Sequence, residues 1–295
     1  MRYLPFCLLA LLSPLAFSQL PDNDIFLVEL SWSKSEDGRS LPKLGPARNI
    51  TKQPGYENQA HFLPDGQILY TASRDGKQTD IFRFDPKSGN TTQVTATPES
   101  EFSPTLMMDG RHFSVVRVEA DQTQRLWQFP LDGGEPRLIL PEVTSVGYHT
   151  WLSPTQLALF IVGEPHRLVW VDVAKSQPKT LLNDVGRCFT LAPDKKSLYA
   201  VHKPEGKTWQ ILQLGLSDQK REVLAETVEG AEDYVWTPDG ALLMARESRL
   251  YLLHPKRDKQ WRQIADLADQ GLKGITRLAL DHKGRYLTLV SATKL

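Results

Sequence analysis

Residues Asn58–Asp85 read NQAHFLPDGQILYTASRDGKQTDIFRFD. The centre, Pro64-Asp65-Gly66, has the chemistry of a tight turn. Proline presets φ at the first turn position, aspartate bonds back to the turn backbone, and glycine takes a positive φ without a Cβ clash. Strand-like runs flank it, AHFL before and ILYT after. A third run, DIFRFD, alternates polar and apolar residues as a half-buried strand does.

The turn returns along the chain as Met108-Asp109-Gly110, Ser153-Pro154-Thr155, Pro193-Asp194-Lys195, Pro238-Asp239-Gly240 and His282-Lys283-Gly284, with central residues 44, 45, 40, 45 and 44 positions apart. The copies at 153–155 and 193–195 lack the glycine and are expected to turn differently. Six copies at this period match a propeller blade of four strands. Third strands follow at Asp80, Arg125, Arg167, Trp209 and Arg249, and short fourth strands at Thr92, Arg137, Lys179, Arg221 and Arg262. The Lys and Arg at those outer edges discourage sheet-to-sheet pairing. The count is uneven, with six hairpins and five outer pairs. The missing pair lies at the other end, where Asp24–Leu30 (DIFLVEL) resembles a third strand and Arg48–Thr51 (RNIT) a fourth. The predicted fold is all-β, a six-bladed β-propeller of four-stranded antiparallel blades whose ring is closed by the N-terminal strands completing the last blade.

The pattern N-I-T, N-x-x-x-x-F-x-P-D-G, Y-x-x-x-R-D-G and D-I-F-x-F-D resembles the TolB-type, WD-like propeller repeat, over roughly residues 20–295. The resemblance is specific for fold and poor for function, because propellers host many activities. It implies a TolB-like propeller domain that binds a protein or peptide through one face.

Residues 1–18 read as a cleaved secretory signal: Arg2, an apolar run from Leu4 to Phe17 too short to span a bilayer comfortably, and the small-x-small site Ala16-Phe17-Ser18. Residues 19–295 are then one propeller, expected in the periplasm or outside the cell, monomeric, with no membrane insertion after cleavage. Cys7 lacks a lipoprotein context, and Cys188 is left as a lone thiol, read as buried and inert. Charged residues make up 24% of the chain and both signs count 35, so there is no electrostatic footprint for nucleic acid.

No nucleophile elbow, zinc-protease motif, paired Cys-x-x-Cys, phosphate loop or dinucleotide fingerprint occurs, and no cofactor is expected. Asn49-Ile-Thr51 and Asn90-Thr-Thr92 match glycosylation sequons. Trp151 and Trp236 stand at a recurring bulky position before the turn and read as inter-blade core, whereas Trp32 and Trp261 have no clear place. The polar segment 31–47 reads as a mobile hairpin tip. Inner-strand starts ring one mouth of a propeller channel, and there the chain carries Glu57-Asn58, Glu101, Tyr148-His149, Arg187, Glu232-Asp233 and Arg277. Convergent polar groups in a concavity are the default binding site, and mixed charge suits a carboxylate-bearing or zwitterionic ligand. The alternatives are mutual pairing of these groups, a channel-site hydrolase or lyase using a metal on Glu57, Glu101, His149 and Asp233, or a structural subunit of an envelope complex.

Overall fold

In a computed structural model, described over residues 20–35, 38–192, 195–218 and 220–293, the hairpin at Asn58–Asp85 forms as expected. Glu57–Phe62 pairs with Ile68–Ala72, then Asp80–Phe84, then Thr91–Gln93, all antiparallel. The same four-stranded order repeats over residues 57–93, 100–138, 146–183, 185–226 and 234–266, here blades 1 to 5. Among the described residues the only helical element is one short turn, Ala268–Gln270. The expected signal segment, 1–18, and Pro193-Asp194 lie outside the described residues.

Blade 6 closes the ring. Its strand order is Arg277–Leu280, Tyr286–Ala292, Asn23–Lys34, Ser40–Asn49, so both chain ends share one sheet. Asp24 pairs with Ser291, Phe26 with Leu289 and Val28 with Leu287. The Asn49-Ile-Thr51 sequon has a structural use here. Asn49 Nδ2 donates to Asp24 Oδ2 at 2.7 Å, Thr51 Oγ1 donates to Asp24 Oδ1 at 3.1 Å, and the Ile25 N–H donates to Thr51 Oγ1 at 3.0 Å. A clasp of buried polar groups thus fixes where the outer strands sit.

The core is divided. One apolar cluster fills each junction between neighbouring blades. At the junction of blades 6 and 1, Ile25, Leu27 and Val290 meet Ile68, Tyr70 and Phe82. Trp151 and Trp236 are inter-blade residues, as their position suggests, and each donates its indole N–H across a junction, to Ser114 Oγ at 3.0 Å and to Thr190 Oγ1 at 3.1 Å. Burial of such rings gains from area only if the N–H finds an acceptor.

Three local readings resolve at this level. Gly66, Gly110, Gly240 and Gly284 take positive φ in their turns, and Lys195 takes the same conformation at φ 58°, where a side chain is strained. Ser153-Pro154-Thr155 instead closes a tighter loop, with Ser153 facing Gln156. In segment 31–47, expected as a mobile tip, the flanks continue the blade 6 strands in register from Leu30–Leu44 to Lys34–Ser40, and residues 36–37 at the tip lie outside the described residues. Trp32 donates to the Gly284 carbonyl at 2.6 Å, and Arg39 pairs with Asp258 at 2.8 Å, so this arm docks onto blades 6 and 5.

The closure predicts a steep cost for losing the first strands. A chain beginning at Lys52 should lose more than about 4 kcal/mol or fail to fold, read as thermal or denaturant unfolding. Coincident curves with the chain that keeps residues 20–51 would contradict the closure. Thr51→Val should cost about 1–3 kcal/mol, because it strips the acceptor from the buried Ile25 N–H.

Candidate functional site

Alignment on the turn shows which inner-strand residues reach the channel. The residues five positions before the first turn residue are Gln59, Ser103, Tyr148, Asp233 and Arg277, and all five line one cavity of about 160 Å³ on the propeller axis. In blade 4 the corresponding residue is Cys188, and Arg187 lines the cavity beside it. The inner strands are bulged just there, between Asn58 and His61, Phe102 and Thr105, and Val185 and Phe189. Gln59 and Ser103 carry the bulges of blades 1 and 2 in the left-handed region, at φ 58° and 55°. A bulge re-aims side chains and is common beside sites.

Four of the expected residues, Arg187, Asp233, Arg277 and Tyr148, meet at the mouth. Arg187 donates from Nε and one terminal nitrogen to Asp233 Oδ2 at 3.0 and 2.6 Å, and to the Thr276 carbonyl at 3.0 Å. Arg277 approaches the other oxygen of Asp233 at 3.6 Å, donates to the Tyr148 hydroxyl at 2.8 Å, and lies over the Tyr148 ring at 5.0 Å. Two guanidinium groups share one carboxylate, so the cluster carries one net positive charge. Arg187 is largely consumed by protein acceptors, whereas Arg277 keeps donors beyond its single close bond to Tyr148. Tyr148 completes the group. It was expected there together with His149, as the start of the blade 3 inner strand.

Of the remaining expected residues, His149 lines the axial cavity and the others lie elsewhere. Glu57 and Glu101 start their strands seven positions before the turn, ahead of the bulge, and are fully buried within their blades. Glu57 pairs with Arg74, and Glu101 accepts from Thr97 and Thr95 and faces Arg117 at 3.6 Å. Burial pushes both carboxyls up to about 7, against the pull of those partners. Neither lines the axial cavity. Asn58 is buried and accepts the Gln59 N–H at 2.8 Å, which helps hold the bulge. Glu232 accepts the Arg187 N–H and meets Lys203 at 3.3 Å in an adjacent recess between blades 3 and 4. Cys188 bonds the backbone of Tyr234, and burial pushes its thiol up, far from a nucleophile's range.

His149, His61 and Ser103 line the same axial cavity. His149 Nε2 is 2.6 Å from Ser114 Oγ, and His61 Nε2 accepts the Leu106 N–H at 3.1 Å across the junction. Burial lowers His61 to about 4 and His149 to about 3, so both are neutral near pH 7. Gln59 Oε1 accepts from the Ser103 N–H at 2.7 Å and from Thr71 Oγ1 at 2.9 Å, tying the two bulges together. Among the described residues no three His, Cys, Asp or Glu side chains group as a metal site, and no helix is long and apolar enough to cross a membrane.

No protein-family model and no curated protein matches the sequence. Solved structures do resemble the fold. A putative TolB from Agrobacterium tumefaciens superposes with TM-score 0.70 at 13% identity, over 93% of this chain and 99% of that one. TolB from Acinetobacter baumannii gives 0.57 at 14% identity, over 92% of this chain and 64% of that one, so the chain spans less than two thirds of that protein's length. A gluconolactonase from Xanthomonas campestris gives 0.63 at 10% identity, over 92% and 96%. The resemblance to TolB propellers suggested by the repeat therefore holds at the level of architecture, and the same architecture serves a lactonase.

The buried acids and histidines predict a compensated pH response. Between about pH 4.5 and 6.5 the folded chain keeps protons on Glu57 and Glu101 that the unfolded chain releases. The unfolded chain meanwhile holds protons on His61 and His149 that the folded chain excludes. The acids stabilise less as pH rises and the histidines stabilise more, so the two pairs offset each other. Relative to wild type, Glu57→Gln with Glu101→Gln should make stability climb with pH across this window. The slope is about 1.4 kcal/mol per pH unit for each uncompensated proton. His149→Gln should tilt the curve the other way. Urea midpoints measured across this window would show parallel curves if the offset is absent.

Proposed function

We propose that the mature chain is a secreted or periplasmic, monomeric binding module that captures a protein or peptide by gripping a carboxylate at the channel mouth. The observation that carries this reading is the state of Arg277. Its guanidinium is steadied by Tyr148 and shares Asp233 with Arg187, yet it keeps N–H donors that no group among the described residues occupies. A guanidinium binds a carboxylate through two parallel bonds, and charge-assisted bonds of this kind are strong. The net positive charge of the cluster favours an anion over an amine. The cavity beneath, about 160 Å³, admits the end of a chain rather than a folded surface. The signal-like first residues and the TolB-like architecture support an extracytoplasmic setting for such a role.

The two arginines should separate in experiment. Arg277→Ala should weaken partner capture from an envelope extract at least tenfold while melting stays close to wild type. Arg187→Ala should cost about 1–3 kcal/mol of stability, because Asp233 and the Thr276 carbonyl lose their donors. Unchanged capture by Arg277→Ala would end the carboxylate reading.

A further inference from the structure

We infer, on the reading that the mouth grips a carboxylate, that the recess between blades 3 and 4 continues the mouth as a groove for the residues preceding that carboxylate, and that it takes a basic side chain. Tyr148 and Arg187 line both the axial cavity and the recess, so the two are continuous, and the recess has a volume of about 600 Å³. A line of rings leads from one to the other. The Arg277 guanidinium lies 5.0 Å from the centre of the Tyr148 ring, Tyr148 meets Phe160 edge to face at 5.6 Å, and Phe160 meets His166 at 4.9 Å. All three rings line the recess. Two glycines let side chains close on the backbone here. A Cβ at Gly147 would sit 2.9 Å from Phe160 Cδ1, and one at Gly186 would sit 2.5 Å from Glu232 Oε1 and 3.0 Å from Lys203 Cδ. An extended residue advances a chain by about 3.5 Å. A peptide anchored at Arg277 therefore brings its second- and third-from-last side chains over these rings.

The charge of the lining selects the occupant. Its two strong cations are already matched, Arg187 by Asp233 at 2.6 Å and Lys203 by Glu232 at 3.3 Å. Three further carboxylates line the recess: Glu164 on the loop 162–166 of blade 3, Glu205 on the loop 203–209 of blade 4, and Asp184 on the connection between the two blades. All three residues are exposed, and none pairs with a cation among the described residues. Lys207, on the same loop as Glu205, does not line the recess. Acidic residues alone make an ordinary solvated surface. Here they rim a concave floor of rings that runs into the mouth. A cation is attracted to the faces of such rings, and a guanidinium also stacks on them. The carboxylates at the rim take its N–H donors. An acidic side chain would meet like charge, and an aliphatic one would leave the rim unanswered. The mouth keeps one net positive charge beside this negative recess. Together they match a chain end in which a basic residue shortly precedes a free carboxylate.

The test uses N-terminally labelled glycine octapeptides ending in alanine, in fluorescence polarisation. Lysine is placed second, third or seventh from the last residue, norleucine or glutamate replaces it at the better of the first two positions, and each peptide is also made as the amide. Lysine at the second or third position should bind at least tenfold tighter than the all-glycine peptide, and lysine at the seventh should give no gain. Norleucine should gain less than threefold, and glutamate should bind more weakly than glycine. A variant carrying Glu164→Gln, Asp184→Asn and Glu205→Gln should bring the lysine peptide down to the norleucine level while its melting stays near wild type, since all three side chains are exposed. Equal binding of the lysine and norleucine peptides, an equal gain from lysine at the seventh position, or a lysine gain that the triple variant keeps overturns the recess. In each of these cases the mouth stands if acids still bind tighter than amides. Equal binding of acid and amide overturns the mouth and the two-part groove with it, and so does the absence of binding by every peptide.

Discussion

The structure depends on one pairing, the antiparallel contact of Asn23–Lys34 with Tyr286–Ala292. A propeller blade is a short twisted sheet whose faces are buried only by its neighbours, so an incomplete blade exposes both an apolar face and an open edge. Here the two ends of the chain must meet for blade 6 to exist. Its completion also completes the apolar clusters against blades 5 and 1. The clasp of Asp24, Asn49 and Thr51 sets the position of the incoming strands at the point where a slip would move Ile25 and Leu27 out of that core.

Closure has a second consequence. Six inner strands are forced to converge, and polar side chains at their starts are brought close together. Each must find a partner or accept a shifted proton affinity. The ring resolves this in two ways. Glu57 and Glu101 withdraw into their blades and take Arg74, just past the neighbouring strand, and Arg117, on it. Arg187, Asp233 and Arg277, from three successive blades, pair from blade to blade around the mouth. The first arrangement is spent on structure. The second leaves a cation with donors to spare at the rim of a cavity, which is the physical basis for reading this mouth as a binding site.

The left-handed bulges link fold to site. Gln59 and Ser103 adopt a backbone conformation that costs a non-glycine residue energy. In return, Gln59 Oε1 ties blade 1 to blade 2 and the side chains beyond the bulge turn towards the axis. The same offset explains why carboxylates two residues upstream, which look equivalent along the chain, do not reach the channel.

The sequence by itself determined the number of blades, the turn chemistry, the order of strands and the closure by the N-terminal segment. Each follows from a local signal repeated six times, and a period of about 44 residues with strand alternation admits few other architectures. It also offered Arg187, Asp233 and Arg277 as candidates for the rim, among the polar residues near inner-strand starts. Only the tertiary structure decided that these three meet, that Glu57 and Glu101 do not join them, and that Gln59 and Ser103 line the same cavity. The physical reason is the bulge. One extra residue in a strand changes which face each following side chain occupies, and whether a bulge forms depends on contacts to the next blade, such as Gln59 to Ser103, that lie 44 residues away in the chain.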